Sequence, residues 1–143
     1  MTEEILARLP HRPPFLFVDS ICGRGENAIH TAVTFAPGWP VFSGHYPGQP
    51  IVPGVILCEA IFQSGALLIG ELTAEAPDGS LPGLPVVARI FAAKFKRQVL
   101  PGDRLDIEIK LMERLASAWL MKGSGRVLGK VAVQVEFSCT FKS

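Results

Sequence analysis

Two side chains able to exchange protons stand 14 positions apart. His45 lies in a stretch crowded with proline and glycine, and Glu59 lies in a run of apolar residues. Histidine titrates nearest neutrality and is the commonest general base. An ionised glutamate is seldom buried without a partner, and a dry setting raises its pKa so that it holds a proton at neutral pH. A base and a protonated acid meeting in an apolar cleft form an acid–base pair. Gln63 follows Glu59 at i+4, so the two mark one polar stripe if the run is helical. Pro53-Gly54 would open that helix. The unpaired N–H groups and positive dipole end there suit a developing oxyanion on a polarised carbonyl. Against this, a lone loop histidine is more often structural than catalytic, and a helical glutamate is usually solvated. The residues alone leave both readings open.

The elements that must position these groups can be read from pattern. Residues 37–54 hold five prolines and four glycines, which excludes regular structure and stiffens the backbone. The run from Pro53 to Glu71 has no breaker and is longer than most strands, so it reads as a helix. Its apolar residues fall on all sides, so it should be wrapped by other elements. Phe15 to Ile21 and Ala28 to Phe35 read as paired strands, with Gly23 to Asn27 as the turn. Residues 73–85 read as a loop and Val86 to Phe91 as a strand candidate. Leu105 to Leu111 and Val131 to Phe141 alternate with period two, as half-buried strands do. Ala116 to Lys122 fills the interval, and Gly123 to Arg126 reads as the hairpin turn joining it to the last strand. The expected class is α+β: an antiparallel sheet wrapped round one long hydrophobic helix, formed by residues 1–143 as one unit.

Composition narrows the function classes. The chain has 143 residues, 48% hydrophobic and 19% charged, which excludes a disordered polymer. Fourteen Lys and Arg against 13 Asp and Glu give no bulk positive charge for non-specific nucleic-acid binding. Cys22, Cys58 and Cys139 fit neither a disulfide framework nor a zinc pattern, so reduced thiols are expected. The most apolar stretch, Val55 to Gly70, is short for a span and carries Glu59 and Gln63. The first residues are acidic and unlike a secretory signal. A cytoplasmic location without a membrane span is the expectation. Trp39 and Trp119 are read as packing, His30 as a strand-face residue and His11 as a structural hydrogen-bonder.

The segment Gly44-His-Tyr-Pro-Gly-Gln-Pro-Ile-Val-Pro-Gly-Val-Ile-Leu-Cys-Glu-Ala-Ile-Phe-Gln63 resembles the GHFPGxPxxPGVLxxEAxxQ signature of the 3-hydroxyacyl-[acyl-carrier-protein] dehydratases of bacterial type II fatty acid synthesis. Leu9 to Asp19 resembles that family's opening segment, and Phe95 to Asp103 its FKRPVxPGD segment. The resemblance implies a hotdog fold, paired into dimers and commonly three dimers to a hexamer. Each site would take its histidine from one subunit and its glutamate from the other. It implies that His45 abstracts the C2 proton of a (3R)-3-hydroxyacyl thioester while protonated Glu59 helps the C3 hydroxyl leave. The Gly54 N–H would polarise the thioester carbonyl, with Val55 and Gln63 also on the substrate. No metal or redox cofactor is implied. The partner would be acyl carrier protein bearing the acyl group on phosphopantetheine. Glu59, where dehydratase–isomerases carry Asp, implies the plain dehydratase.

Tyr46, Gln98 and the Arg89-Ile-Phe-Ala-Ala93 run depart from the family pattern, and Phe91 bears on acyl-tunnel shape. Residues 89–104 hold Arg89, Lys94, Lys96, Arg97 and Arg104 against Asp103 alone. That patch reads either as a docking surface for the acidic carrier, with Lys94, Lys96 and Arg97 at its centre, or as a solvated sheet edge. Two rival functions share the fold: an acyl thioesterase and a non-catalytic acyl-binding subunit.

Overall fold

The computed structural model describes residues 2–74 and 84–142. In chain order it holds α1 (Thr2–Arg8), β1 (Ser20–Gly25), β2 (Ala28–Thr34), a 3-10 turn (Pro40–Gly44), α2 (Gly54–Ala74), β3 (Leu84–Phe95), β4 (Arg104–Arg114), β5 (Trp119–Val127) and β6 (Lys130–Lys142). Six strands form one sheet in the order β1-β2-β4-β5-β6-β3, every neighbouring pair antiparallel. The sheet curls round α2, so the expected hotdog architecture is met.

α2 is long and apolar enough to pass for a membrane span by length and composition. One side of it is nevertheless buried within the chain, where Leu57, Ala60, Ile61, Leu67, Leu68 and Ile69 are covered. Each of the leucines and isoleucines contributes roughly 1.5–3 kcal/mol by leaving water. They meet the inward residues of the strands, among them Ile29, Leu105, Ile107, Ile109, Val133 and Phe137. Thr31 and Ser64 hydroxyls bond each other at 2.7 Å in this core, pinning α2 to β2. At the far end, Arg8 pairs with Glu71 at 3.3 Å, and Arg24 bridges Glu71 and Glu4. These pairs tie α1, β1 and the end of α2 together.

Several boundaries differ from the sequence expectation. Phe15 to Asp19 is not a strand, because its backbone is engaged by a helix side chain. The Phe17 N–H donates to Gln63 Oε1 at 2.8 Å and the Phe15 carbonyl accepts from Gln63 Nε2 at 3.2 Å. The first hairpin turn is confined to Glu26-Asn27, with Asn27 at φ 55°, so Gly23 to Gly25 belong to β1. Thr73 and Ala74 continue α2, and β3 begins at Leu84; the rest of the expected loop, residues 75–83, lies outside the described residues. Residues 40–44 form a short 3-10 helix inside the stretch read as irregular. The largest correction concerns Gly123 to Arg126, which run through the middle of β5, the turn being Leu128-Gly129. A Cβ on Gly123 would stand 2.4 Å from Ile61 Cγ2, and one on Gly125 2.9 Å from Leu105 Cδ1. Gly123 marks a close approach of helix to sheet, and Gly125 makes room for side chains of the flanking strands β4 and β6; neither marks a turn.

Candidate active site

The loop that carries His45 is pinned at both ends. Phe42 is buried and packs edge-on against Trp39 at 5.4 Å, and Trp39 in turn meets Phe17 and Phe35. At the other end Val52 is buried, and its N–H donates to the Val99 carbonyl at 2.8 Å. Between these anchors, His45 Nδ1 lies 3.0 Å from the Ile51 carbonyl. A carbonyl only accepts, so Nδ1 carries the proton and the neutral ring keeps its lone pair on Nε2. The Tyr46 ring stands edge-on to the imidazole at 4.7 Å, and its backbone has φ 54°. A non-glycine residue held in that region stores about 1–3 kcal/mol, an expense found most often beside working side chains.

α2 starts where Pro53 stops the loop. The Pro53 carbonyl accepts from the N–H groups of Ile56 and Leu57 at 2.9 and 3.2 Å. The Gly54 and Val55 N–H groups have no acceptor among the described residues, as expected for a helix start. Gly54 borders a cavity of about 390 Å³ with Ile51, Val52, Leu57, Phe95 and Val99, and Lys96, Arg97 and Gln98 run along it. A neighbouring groove of about 810 Å³ shares Ile51 and Gln98 and includes Tyr46. The helix start, the basic segment and Tyr46, the neighbour of His45, therefore line two adjoining hollows. Val55 is 75% exposed at the helix start.

Glu59 lies one turn further along α2, where its side chain is 23% exposed. Gln63 Nε2 donates to Glu59 Oε2 at 3.0 Å, and His11 Nε2 stands 3.7 Å from the same oxygen. Gln63 is buried, with its amide committed to Phe15, Phe17 and Glu59, so it orients the carboxyl from within the chain. Among the described residues, His45 and Glu59 share no hydrogen bond or ion pair, and each faces a different segment. On sequence alone His11 reads as a structural hydrogen-bonder, unconnected with Glu59. Its position in the opening segment was the signal that could have found it.

The remaining sequence candidates separate. Lys94, Lys96 and Arg97 are exposed on or just after β3. Arg104 opens β4, three strands from β3 in the sheet order, and pairs with Asp106 at 2.9 Å, so it is no part of a free patch. His30 faces outward on β2 and pairs with Glu108 at 3.3 Å. Trp119 is buried, as expected for packing. All three cysteines are free, and no cluster of three His, Cys, Asp or Glu side chains among the described residues could hold a metal ion.

A six-stranded antiparallel sheet wrapped round one long central helix defines a hotdog fold, with His45 on the loop that leads into that helix and Glu59 on the helix itself. The chain belongs to the FabA-like domain family, whose model matches residues 9–136. Its relatives include the 3-hydroxyacyl-[acyl-carrier-protein] dehydratase FabZ of Anaeromyxobacter sp. (strain K), 38% identical over 130 residues spanning 90% of this chain and 82% of that protein. The FabZ of Proteus mirabilis (strain HI4320) is also 38% identical, over 96% of this chain and 90% of that protein. Among solved structures, the dehydratase heterocomplex ApeI:P from Xenorhabdus doucetiae superposes with a TM-score of 0.80 at 18% identity, covering 97% of this chain and 91% of that one. A hypothetical thioesterase with coenzyme A from Streptococcus pneumoniae TIGR4 superposes with a TM-score of 0.66 at 13% identity, covering 87% and 85%. At these identities the structural likeness is one of fold.

Proposed function

We propose that the chain dehydrates (3R)-3-hydroxyacyl-acyl carrier protein to the trans-2-enoyl thioester, in fatty acid or related lipid biosynthesis. The observation that carries this reading is the tautomer of His45. With Nδ1 tied to the Ile51 carbonyl, Nε2 is left as a base on the loop that leads into the free N–H groups at the start of α2. A thioester carbonyl accepting from the Gly54 N–H becomes a better electron sink, which acidifies C2. His45 Nε2 takes the C2 proton, the C–H electron pair forms the C2=C3 bond, and the C3 hydroxyl departs with the proton of Glu59 as water. The proton on His45 then resets Glu59 directly or through solvent.

His45 and Glu59 act together as a pair completed by two copies of the chain. Two features support this: the two side chains face different segments within one copy, and β3 forms an open sheet edge bearing exposed Val87, Ile90, Phe91 and Phe95. An apolar edge of that length invites a second strand. Residues 1–143 act as one hotdog unit, assembled as a homodimer or a trimer of such dimers in the cytoplasm. Lys94, Lys96 and Arg97 draw in the acidic carrier, and Val55 and Phe95 lie against the substrate arm.

The test is product mass from a chain-length series of (3R)-3-hydroxyacyl-carrier protein. Loss of one water, reduced about 10²–10⁴-fold in His45→Ala and in Glu59→Gln, is the expected result. Release of free acid would make the protein a thioesterase, and binding without turnover an acyl-binding subunit.

A further inference from the structure

The Glu59 carboxyl meets two side chains of its own chain, and both meet the same oxygen. Gln63 Nε2 donates to Oε2 at 3.0 Å, and His11 Nε2 faces Oε2 at 3.7 Å. No hydrogen bond among the described residues reaches Oε1. In a protonated carboxyl, the oxygen that accepts from an amide is the carbonyl one, so the transferable proton sits on the other.

The tautomer of His11 follows from what surrounds it. Its Nδ1 is buried and has no partner among the described residues. A proton there would be a buried donor with nothing to take it, whereas a proton on Nε2 points at a carboxyl oxygen. The neutral ring therefore presents Nε2–H to Oε2. The segment that holds this ring is stiff. Leu9 anchors it in the core at 2% exposure. Arg12 donates from Nη1 to the carbonyls of Leu9 and His11 at 2.7 Å each, and from Nη2 to that of Leu6 at 2.9 Å. Pro10, Pro13 and Pro14 flank the imidazole, and Phe15 stacks on it at 6.3 Å.

We propose that His11 is a positioning residue for the acid. With Gln63 it loads Oε2, so that the proton Glu59 delivers is held on Oε1 and aimed at the departing hydroxyl. The proposal rests on the reading of Glu59 as the acid. As the proton leaves, negative charge grows on the carboxyl and the His11 contact shortens onto Oε2, as catalytic hydrogen bonds do on reaching the reacting state. The interaction is thus stronger in the transition state than in the ground state, and its loss appears in kcat, with KM little changed.

The experiment compares His11→Phe, which keeps the ring packing on Phe15 but has no donor, with His11→Gln, whose amide can reach the Nε2 position. The Glu59→Gln variant is assayed beside them on (3R)-3-hydroxyacyl-carrier protein, and thermal unfolding shows which variants fold. The expected result is a fall in kcat of about 10–100-fold for His11→Phe, with KM within about twofold. Most of the rate returns in His11→Gln, and added imidazole partly restores His11→Ala. The proposal is overturned if His11→Phe keeps its kcat, if the loss appears in KM alone, or if His11→Gln is as impaired as His11→Phe while both remain folded. An active Glu59→Gln variant would instead remove the acid reading beneath it. An inactive one beside a fully active His11→Phe would sink only the role of His11.

Discussion

Three histidines in one small chain differ in which ring nitrogen is already engaged, and that difference sorts their roles. His45 has Nδ1 held by a carbonyl and Nε2 without a partner among the described residues. His11 has Nδ1 buried and Nε2 turned to a carboxyl. His30 shares an exposed pair with Glu108, and such pairs contribute about 0–1 kcal/mol. The cysteines sort in the same way. Burial pushes the Cys139 thiol from 9.0 up to about 12, and burial together with the negative charge of Glu59 raises Cys58. Cys22 is exposed. At pH 8 a maleimide should label Cys22 alone in the folded protein and all three thiols in denaturant, read by intact mass; Cys139 reacting as fast as Cys22 would contradict the burial. The sign of the linkage follows. The folded state keeps the Cys139 proton that the unfolded chain releases near 9.0, so this contribution to stability is held below that pH and lost as pH climbs towards 12.

At the scale of elements, the seating of α2 against β5 decides how tightly the site is framed. Gly123 lets Ile61 descend onto the strand, and Gly65 lets the helix approach the ring of Phe137, where a Cβ would stand at 3.0 Å. Gly123→Ala should therefore overpack the core and cost about 1–3 kcal/mol, seen as a lower urea midpoint. Gly38→Ala, where a Cβ would meet nothing within 4 Å, should leave the midpoint in place. Equal midpoints for both variants would show that the helix is not seated there. These glycines also show why part of the fold was illegible. The period-two runs of β4 and β6 and the unbroken run of α2 report burial directly, and they were read with small boundary errors. Gly123-Ser-Gly-Arg126 carries the local chemistry of a turn, yet its cause is a side chain 62 positions earlier, Ile61. Residues 15–19 have strand composition, but the Phe17 N–H and the Phe15 carbonyl bond Gln63.

At the scale of the molecule, the sequence pattern marked His45, Glu59 and Gln63, but not the approach of His11 to Glu59. His11 and Glu59 are 48 positions apart on elements of unrelated period, and only the folded chain joins them. The same structure places His45 and Glu59 on different segments within one copy, and β3 offers the edge at which a second copy would complete the pair. The central claim is that this acid–base pair is shared between chains. Its most direct test is to unfold and reassemble His45→Ala with Glu59→Ala, isolate the mixed dimers through two different tags, and assay them on (3R)-3-hydroxyacyl-carrier protein. Each mixed dimer should hold one intact and one doubly altered site, so it should recover about half the turnover of the unaltered dimer while both parents stay inactive. Well-formed mixed dimers that remain as inactive as their parents would contradict the account.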